Sequence, residues 1–377
     1  MKSISDRIAQ ANSLLAPYAV IHGGGLGREY PEPNDSTRFP FQRDRDRIIH
    51  TQAFRRLKHK TQVFVTGLPA VALAKAGHGD HYRTRITHTL EVAQISRDIA
   101  RTLGLNEDLA EAIALAHDLG HTPFGHAGEE AMNECMQSCG RIFEHNDQSL
   151  RIVTVLEDRS AQYRGLNLSK EILEGLMKHP TPPRAAGLRG TSRTLSLEAQ
   201  LVNLADEIAY TAHDTDDGLR AGLFTLKQVR ETKLGFLAAE KSKERKTELR
   251  GAIVDLLVSD LYVETESLLK KFSIVSLVDV YASRVSLLSF SKKMADDLGE
   301  LRKFLWNHLY KSSAVQMQAK HGQQVIRDLF AVYKKSPPAK VLELQKKTGG
   351  ALEEAIKDYV AGMTDPFAMQ RWEAIKI

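Results

Sequence analysis

Cysteine is nearly missing from this chain. Cys135 and Cys139 are the only two in 377 residues, four apart in a segment of helical pattern. A disulfide framework is thereby excluded, and both are expected to be reduced and half-buried. Continuous apolar stretches are short as well. None approaches 18 residues, so no segment reads as a bilayer-spanning helix. Met1 to Val20 lacks a charged region followed by an apolar run, so a signal peptide is not expected and the cytoplasm is the expected location. One-sided charge is also lacking: 52 Lys and Arg stand against 47 Asp and Glu, a net +5, which biases the chain only slightly towards anionic partners. Aromatics are sparse at 7% and there are 12 prolines. The glycine cluster at 23–27 is neither preceded by a strand pattern nor followed by Gly-Lys-Ser/Thr. It therefore reads as a mobile surface loop, not as a phosphate-binding loop.

What the chain has is helix-forming sequence. Leu, Ala, Ile, Glu, Lys and Arg dominate, and an apolar fraction of 42% suffices for a proper core. Residues 3–16 fit a short amphipathic helix, 23–40 a loop, and 41–60 a helical segment. A second loop, 67–81, precedes a helix from Thr84 on which His88, Val92, Ile95 and Ile99 share a face. Asn106 is placed to cap the next helix. Residues 144–158 and 169–178 are predicted helices, 180–194 an exposed loop. From Leu197 two semi-apolar stripes, one including Asp206 and His213, predict a buried helix. An acid on such a face must be paired or bound to something. Helices continue to the end, including apolar ones at 252–270 and 273–291, with no strand alternation and no repeat. The expected architecture is all-α, divided as an N-terminal helix and loop (1–40), a core (41–225) and a C-terminal helical region (226–377) packed on the core and in oligomer contacts.

The concentration of histidine is the decisive feature. Of 14 in the chain, half lie between His78 and His145. His117 and Asp118 are adjacent and diverge by roughly 100° on a helix, so both cannot face a core, yet both can reach one ion at a helix end. Gly120, Pro123, Gly125 and Gly128 then break the helix into a rigid turn that carries His121, His126 and Glu129. With His88 and Asp206, the His117-Asp118 pair makes two imidazoles and two carboxylates on three helices. Such mixed N/O ligation suits Mn, Fe, Co, Ni or Zn and is tolerated by Mg. A metal held so would lower the pKa of a bound water and polarise a phosphoryl oxygen.

The pattern H…HD…D resembles the HD-domain phosphohydrolases. The longer segments FQRDRDRIIHTQAFRRLKHKTQVF, RTRITHTLEVAQ, AHDLGHTPFGHAGE, FEHNDQS and LADEIAYTAHD resemble the deoxyguanosinetriphosphate triphosphohydrolase (dNTPase) family across residues 40–220. The resemblance implies an all-α HD fold with added C-terminal helices. It implies hydrolysis of dNTPs to deoxynucleoside and inorganic triphosphate, with a divalent metal, Mg or Mn before Co, Ni, Fe or Zn. Its metal ligands map onto His88, His117, Asp118 and Asp206, and its catalytic histidine and partner acid onto His126 and Glu129. A further histidine maps onto His145. Arg85 matches a phosphate-binding arginine, Tyr210 and Asp214 positions that hold the sugar, and Gln62 a residue near sugar and base. His121 is left with two readings, contact with the α-phosphate or support of the metal. The family also implies a homo-oligomer, a regulatory nucleotide and weak single-stranded DNA binding.

Attack on the α-phosphorus is the expected reaction, with His126, held by Glu129, handling proton transfer near the 5′-oxygen as acid, base or nucleophile. The basic run Arg43, Arg45, Arg47, Arg55, Arg56, Lys58 and Lys60 reads either as a phosphate or nucleotide surface or as a helix with solvated cations. His78 and His81 read as loop residues near the site mouth. Two alternatives stand: an HD enzyme for another nucleotide phosphoester, and a single-stranded nucleic-acid-binding protein using the arginine-rich segments 38–60 and 184–193. The chain is expected to be short for the family and without a recognisable added regulatory domain, and nothing in it fixes base preference.

Overall fold

A computed structural model describes residues 2–63, 83–177 and 194–375. Regular structure among them is helical, from Ile4–Asn12 to Asp365–Ile375, and β pairing is limited to isolated bridges such as Thr61 with Thr84. The all-α expectation holds. None of these helices is long and apolar enough to cross a membrane. His78, His81 and nearly all of the two predicted loops at 67–81 and 180–194 lie outside the described residues.

The chain forms two compact units, each assembled from three stretches. One comprises Met1–Ile48, Leu90–Leu115 and Asn167–Leu309, the other Ile49–Thr89, Ala116–Leu166 and Tyr310–Ile377. The sequence boundaries at 40/41 and 225/226 both fall inside the first unit and do not coincide with these.

In the first unit the Leu249–Lys271 helix packs on Leu197–Arg220 and on Lys233–Arg245. Its Leu257, Leu261 and Leu269 repeat at helical spacing and are buried, which is what an i, i+4 apolar stripe does against a neighbour. Asn106 caps Glu107–Ala116 as expected: its Oδ1 accepts the Leu109 N–H at 3.2 Å, an interaction worth about 1 kcal/mol. The Glu198 carboxylate accepts the N–H groups of Val20 at 3.0 Å and Asn106 at 3.1 Å, fastening the N-terminal segment. One expectation fails here. Residues 273–291 are not a helix; only Leu277–Ala282 is helical. Ser273 has a left-handed φ of 53°, and Ser276 and Ser283 turn their hydroxyls onto nearby backbone, the competition that makes serine a cap residue rather than a helix former.

In the second unit the Gly125–Gln137 helix packs on Ser313–Lys335, and Leu352–Ala361 and Asp365–Ile375 cover the same long helix. Phe124, Met132, Met136, Phe143, Val325, Leu329 and Ile356 form its core. The predicted helix 41–60 is interrupted: Pro40–Ile49 ends, and Thr51 caps a new short helix, Gln52–Arg56, by accepting the Phe54 N–H. Likewise 144–158 is α-helical only over His145–Arg151 and continues as a π turn, Ile152–Leu156.

Candidate active site

The second unit gathers most of the predicted residues. His117 and Asp118 follow the last turn of Glu107–Ala116, so the end of the helix, not its side, presents them. The turn is tied to the helix that carries His145. Ser149 Oγ accepts the Gly120 N–H at 2.8 Å and donates to the His117 carbonyl at 2.9 Å. Gly120 is required by that approach, since a Cβ there would lie 2.1 Å from the His145 carbonyl. Gly128 does not break the helix as expected: it sits inside Gly125–Gln137, where a Cβ would strike the Pro123 carbonyl. The break falls at Phe124 instead, whose φ of 65° is left-handed, a conformation that costs an L residue roughly 1–2 kcal/mol.

Asp118 is the centre of the group. Its carboxylate lies 3.3 Å from His117 Nε2, 3.2 Å from His121 Nε2 and 3.7 Å from His88 Nε2, and accepts a 2.7 Å bond from Arg85 Nη1. All five side chains are buried. Burial pushes the Asp118 pKa up, but His117, His121 and Arg85 outweigh it and hold the group well below the ordinary value, so Asp118 is ionised. Burial and the neighbouring Arg85 push His121 well below an ordinary imidazole, so it is neutral, and its buried Nδ1 has no hydrogen-bond partner among the described residues. A deprotonated carboxylate beside buried imidazoles is a donor set that fits a divalent cation.

His126 is set apart by exposure. Its side chain is 78% accessible, while its Nδ1 lies 3.5 Å from Oε2 of the largely buried Glu129. Glu129 is shared: its Oε1 lies 2.8 Å from His145 Nδ1 and also accepts the His145 backbone N–H at 2.8 Å. Burial opposes ionisation of Glu129, but bonds to His126 and His145 and the nearby His121 hold its pKa far below the ordinary range. His121 stacks on His145 with ring centroids 3.9 Å apart. Asp118, His121 and His145 thus offer ligand atoms within 4.8 Å of one another, as do His121, His126 and Glu129. Both readings of His121 remain compatible with that position.

Residues 85–211 match the HD domain and 288–374 the phosphohydrolase-associated domain. A deoxyguanosinetriphosphate triphosphohydrolase-like protein of Nitrosomonas europaea is 44% identical, covering 96% of this chain and 98% of its own. Proteins of the same description from Ralstonia nicotianae and Thiobacillus denitrificans are 44% and 45% identical, each covering 96% of this chain and 94% and 97% of their own. The chain belongs to the deoxyguanosinetriphosphate triphosphohydrolase-like family. It is therefore an HD phosphohydrolase, and HD domains bind divalent metals.

The other family positions are distributed as follows. Gln62, half-buried, follows Thr61 in the second unit. Asp206, Tyr210 and Asp214 belong to the first unit, one turn apart on Leu197–Arg220. There Arg302 places its guanidinium 5.5 Å from the Tyr210 ring centroid and bonds to Glu207, while Asp214 is buried with His213 Nδ1 at 2.7 Å. Burial pushes the Tyr210 hydroxyl above its usual range, so it stays protonated. Arg85, matched to phosphate, is engaged with Asp118 here. The basic run fits neither of its two readings as a whole. Arg47 and Lys60 are buried, Arg43 and Arg45 pair with Glu32 and Glu111, and only Arg55, Arg56 and Lys58 are exposed. Lys60 and Asp365 are the residues near the site that sequence reasoning missed. Lys60 stood in a charge run, and Asp365 is an isolated acid 239 positions after His126 (365 − 126).

Proposed function

We propose that the chain hydrolyses deoxynucleoside triphosphates to a deoxynucleoside and inorganic tripolyphosphate. His88, His117 and Asp118 would hold a divalent metal, Mg or Mn, with Asp206 as the fourth ligand carried by the family resemblance. When bound, the metal polarises phosphoryl oxygen and acidifies water. The observation that carries the reading is the exposed His126 backed by an ionised Glu129, beside the buried Asp118 group. A bare cation site needs no such imidazole. Glu129 keeps the proton of His126 on Nδ1 and leaves Nε2 for exchange at the substrate, and it stabilises the imidazolium formed in passing. Water attacks the α-phosphorus, the bond to the 5′-oxygen breaks, and that oxygen takes up a proton through His126.

The sugar would be read by Asp214, accepting from the 3′-hydroxyl, and by the ring of Tyr210, which would pack on the ribose and disfavour a 2′-hydroxyl. Arg302 supports that ring. Arg85 would meet phosphate once the metal shares Asp118, and His145 would brace Glu129. Regulation by a second nucleotide and a homo-oligomeric state belong to the same reading. Single-stranded nucleic-acid binding is less supported, because Arg47 and Lys60 are withdrawn from the surface stripe it needs. Product analysis with each dNTP, singly and mixed, with Mg or Mn, tests the proposal. Tripolyphosphate plus deoxynucleoside is expected, with mixed nucleotides faster than single ones if a second nucleotide activates. Pyrophosphate and monophosphate, or no product, would favour another phosphoester.

A further inference from the structure

The turn that leads into the His126 helix has few bonds of its own beyond Thr122 Oγ1 donating to the Gly125 carbonyl at 3.2 Å, and it is also held from outside. Phe124, the residue just before Gly125–Gln137, is in the left-handed region, and its side chain does not cap the helix start. Support comes from the C-terminal stretch of the same unit. Asp365, 1% exposed, accepts the Phe124 N–H on Oδ1 at 3.0 Å and the Thr61 N–H on Oδ2 at 3.0 Å, with the Thr61 hydroxyl also donating to Oδ2. Three residues earlier in the turn, the His121 carbonyl accepts from the buried Lys60 ammonium, which also donates to the Ala361 carbonyl at 2.9 Å. The Phe124 side chain is pressed on Gly322, where a Cβ would come within 2.6 Å of it.

We propose that Asp365, in the phosphohydrolase-associated region, is a positioning residue for His126. By holding the backbone of Phe124 in its left-handed state it sets the direction in which Gly125–Gln137 leaves the turn, and hence where His126 and Glu129 stand. A buried carboxylate spent on two backbone N–H groups is costly if packing is the only need, because an apolar residue would fill the space without desolvating a charge. Among the described residues its oxygens accept from Thr61 and Phe124, in the two segments that border the site. The proposal rests on the reading of His126 given above.

Asp365→Asn keeps the shape and one acceptor, and is made in the full chain. With Mn present, kcat on a dNTP should fall about tenfold to a hundredfold, the effect of a misplacement near 1 Å, while KM stays within about twofold. In protein labelled at histidine, the His126 ring resonance should shift even without metal, since it reports the contact with Glu129. Thr61→Val, which removes only the hydroxyl arm, should leave kcat within about threefold of the parent. Should Asp365→Asn not fold, Gly322→Ala presses on Phe124 from the other side and should give the same loss in kcat and the same ring shift. Unchanged kcat together with an unmoved His126 resonance in these variants overturns the proposal. If the parent protein releases no tripolyphosphate, the functional reading fails instead, and the ring resonance still decides whether Asp365 positions His126.

Discussion

Carboxylates are buried in both units, and one pair from each behaves in opposite ways. In the second, Asp118 and Glu129 lie among imidazoles, with Arg85 at Asp118, and are held ionised against their burial. In the first, Glu174 and Glu198 are also buried but among the described residues meet neutral donors, such as the Tyr281 hydroxyl at 2.9 Å and the backbone N–H groups of Val20 and Asn106 at 3.0 and 3.1 Å. Burial pushes each up to about 7. Desolvation is common to all four, so the neighbouring imidazoles and Arg85 decide the outcome. Asp118 and Glu129 keep negative charge ready for a ligand, while burial favours the proton on Glu174 and Glu198, which serve as hydrogen-bonding struts.

The largest break of this contrast comes at its most charged point. Asp118→Ala or His117→Ala should abolish metal binding and turnover together, checked by calorimetric titration of Mn and by product release; retained Mn affinity would detach Asp118 from the metal. Next is His126→Ala, expected to lower turnover by roughly two to four orders of magnitude while sparing metal and dNTP binding. Unchanged turnover would remove His126 from the chemistry. Asp214→Ala should act on binding, raising KM about tenfold to a hundredfold by loss of a charge-assisted hydrogen bond with a smaller change in kcat, and an effect confined to kcat would contradict sugar recognition.

The smallest effect belongs to the struts and concerns stability. Glu198 binds its proton more tightly folded, with a pKa of about 7, than unfolded at 4.5. The stabilisation it gives is fully present below 4.5 and is lost as pH rises through 7, by about 3 kcal/mol. Glu198→Gln keeps the acceptor and removes the titration, so its Tm should fall less than that of the parent between pH 5 and 8. Parallel Tm profiles would mean that Glu198 is not protonated in the fold.

The HD turn was legible because its information is local. The dipeptide, the glycines and the histidine spacing lie within thirteen residues, from His117 to Glu129, and the helix end they predict is where Asp118 stands. Asp365 and Lys60 were not legible, since each acts on backbone groups brought near by folding, and neither has a side-chain partner with a recognisable spacing. The charge run 43–60 stayed ambiguous for a related reason: Glu32 and Asn167, which bind Arg47, lie outside it in sequence, so neither of its two readings foresaw a buried cation. At 273–291 apolar content suggested a helix, while the serines that bend the backbone decided otherwise.

The central claim is that water attacks the α-phosphorus and the bond to the 5′-oxygen breaks. Turnover of a dNTP in ¹⁸O-labelled water with Mn, followed by mass analysis of both products, tests it directly. The account predicts one ¹⁸O in the tripolyphosphate and none in the deoxynucleoside. Label in the deoxynucleoside, or in a monophosphate released beside pyrophosphate, would contradict it.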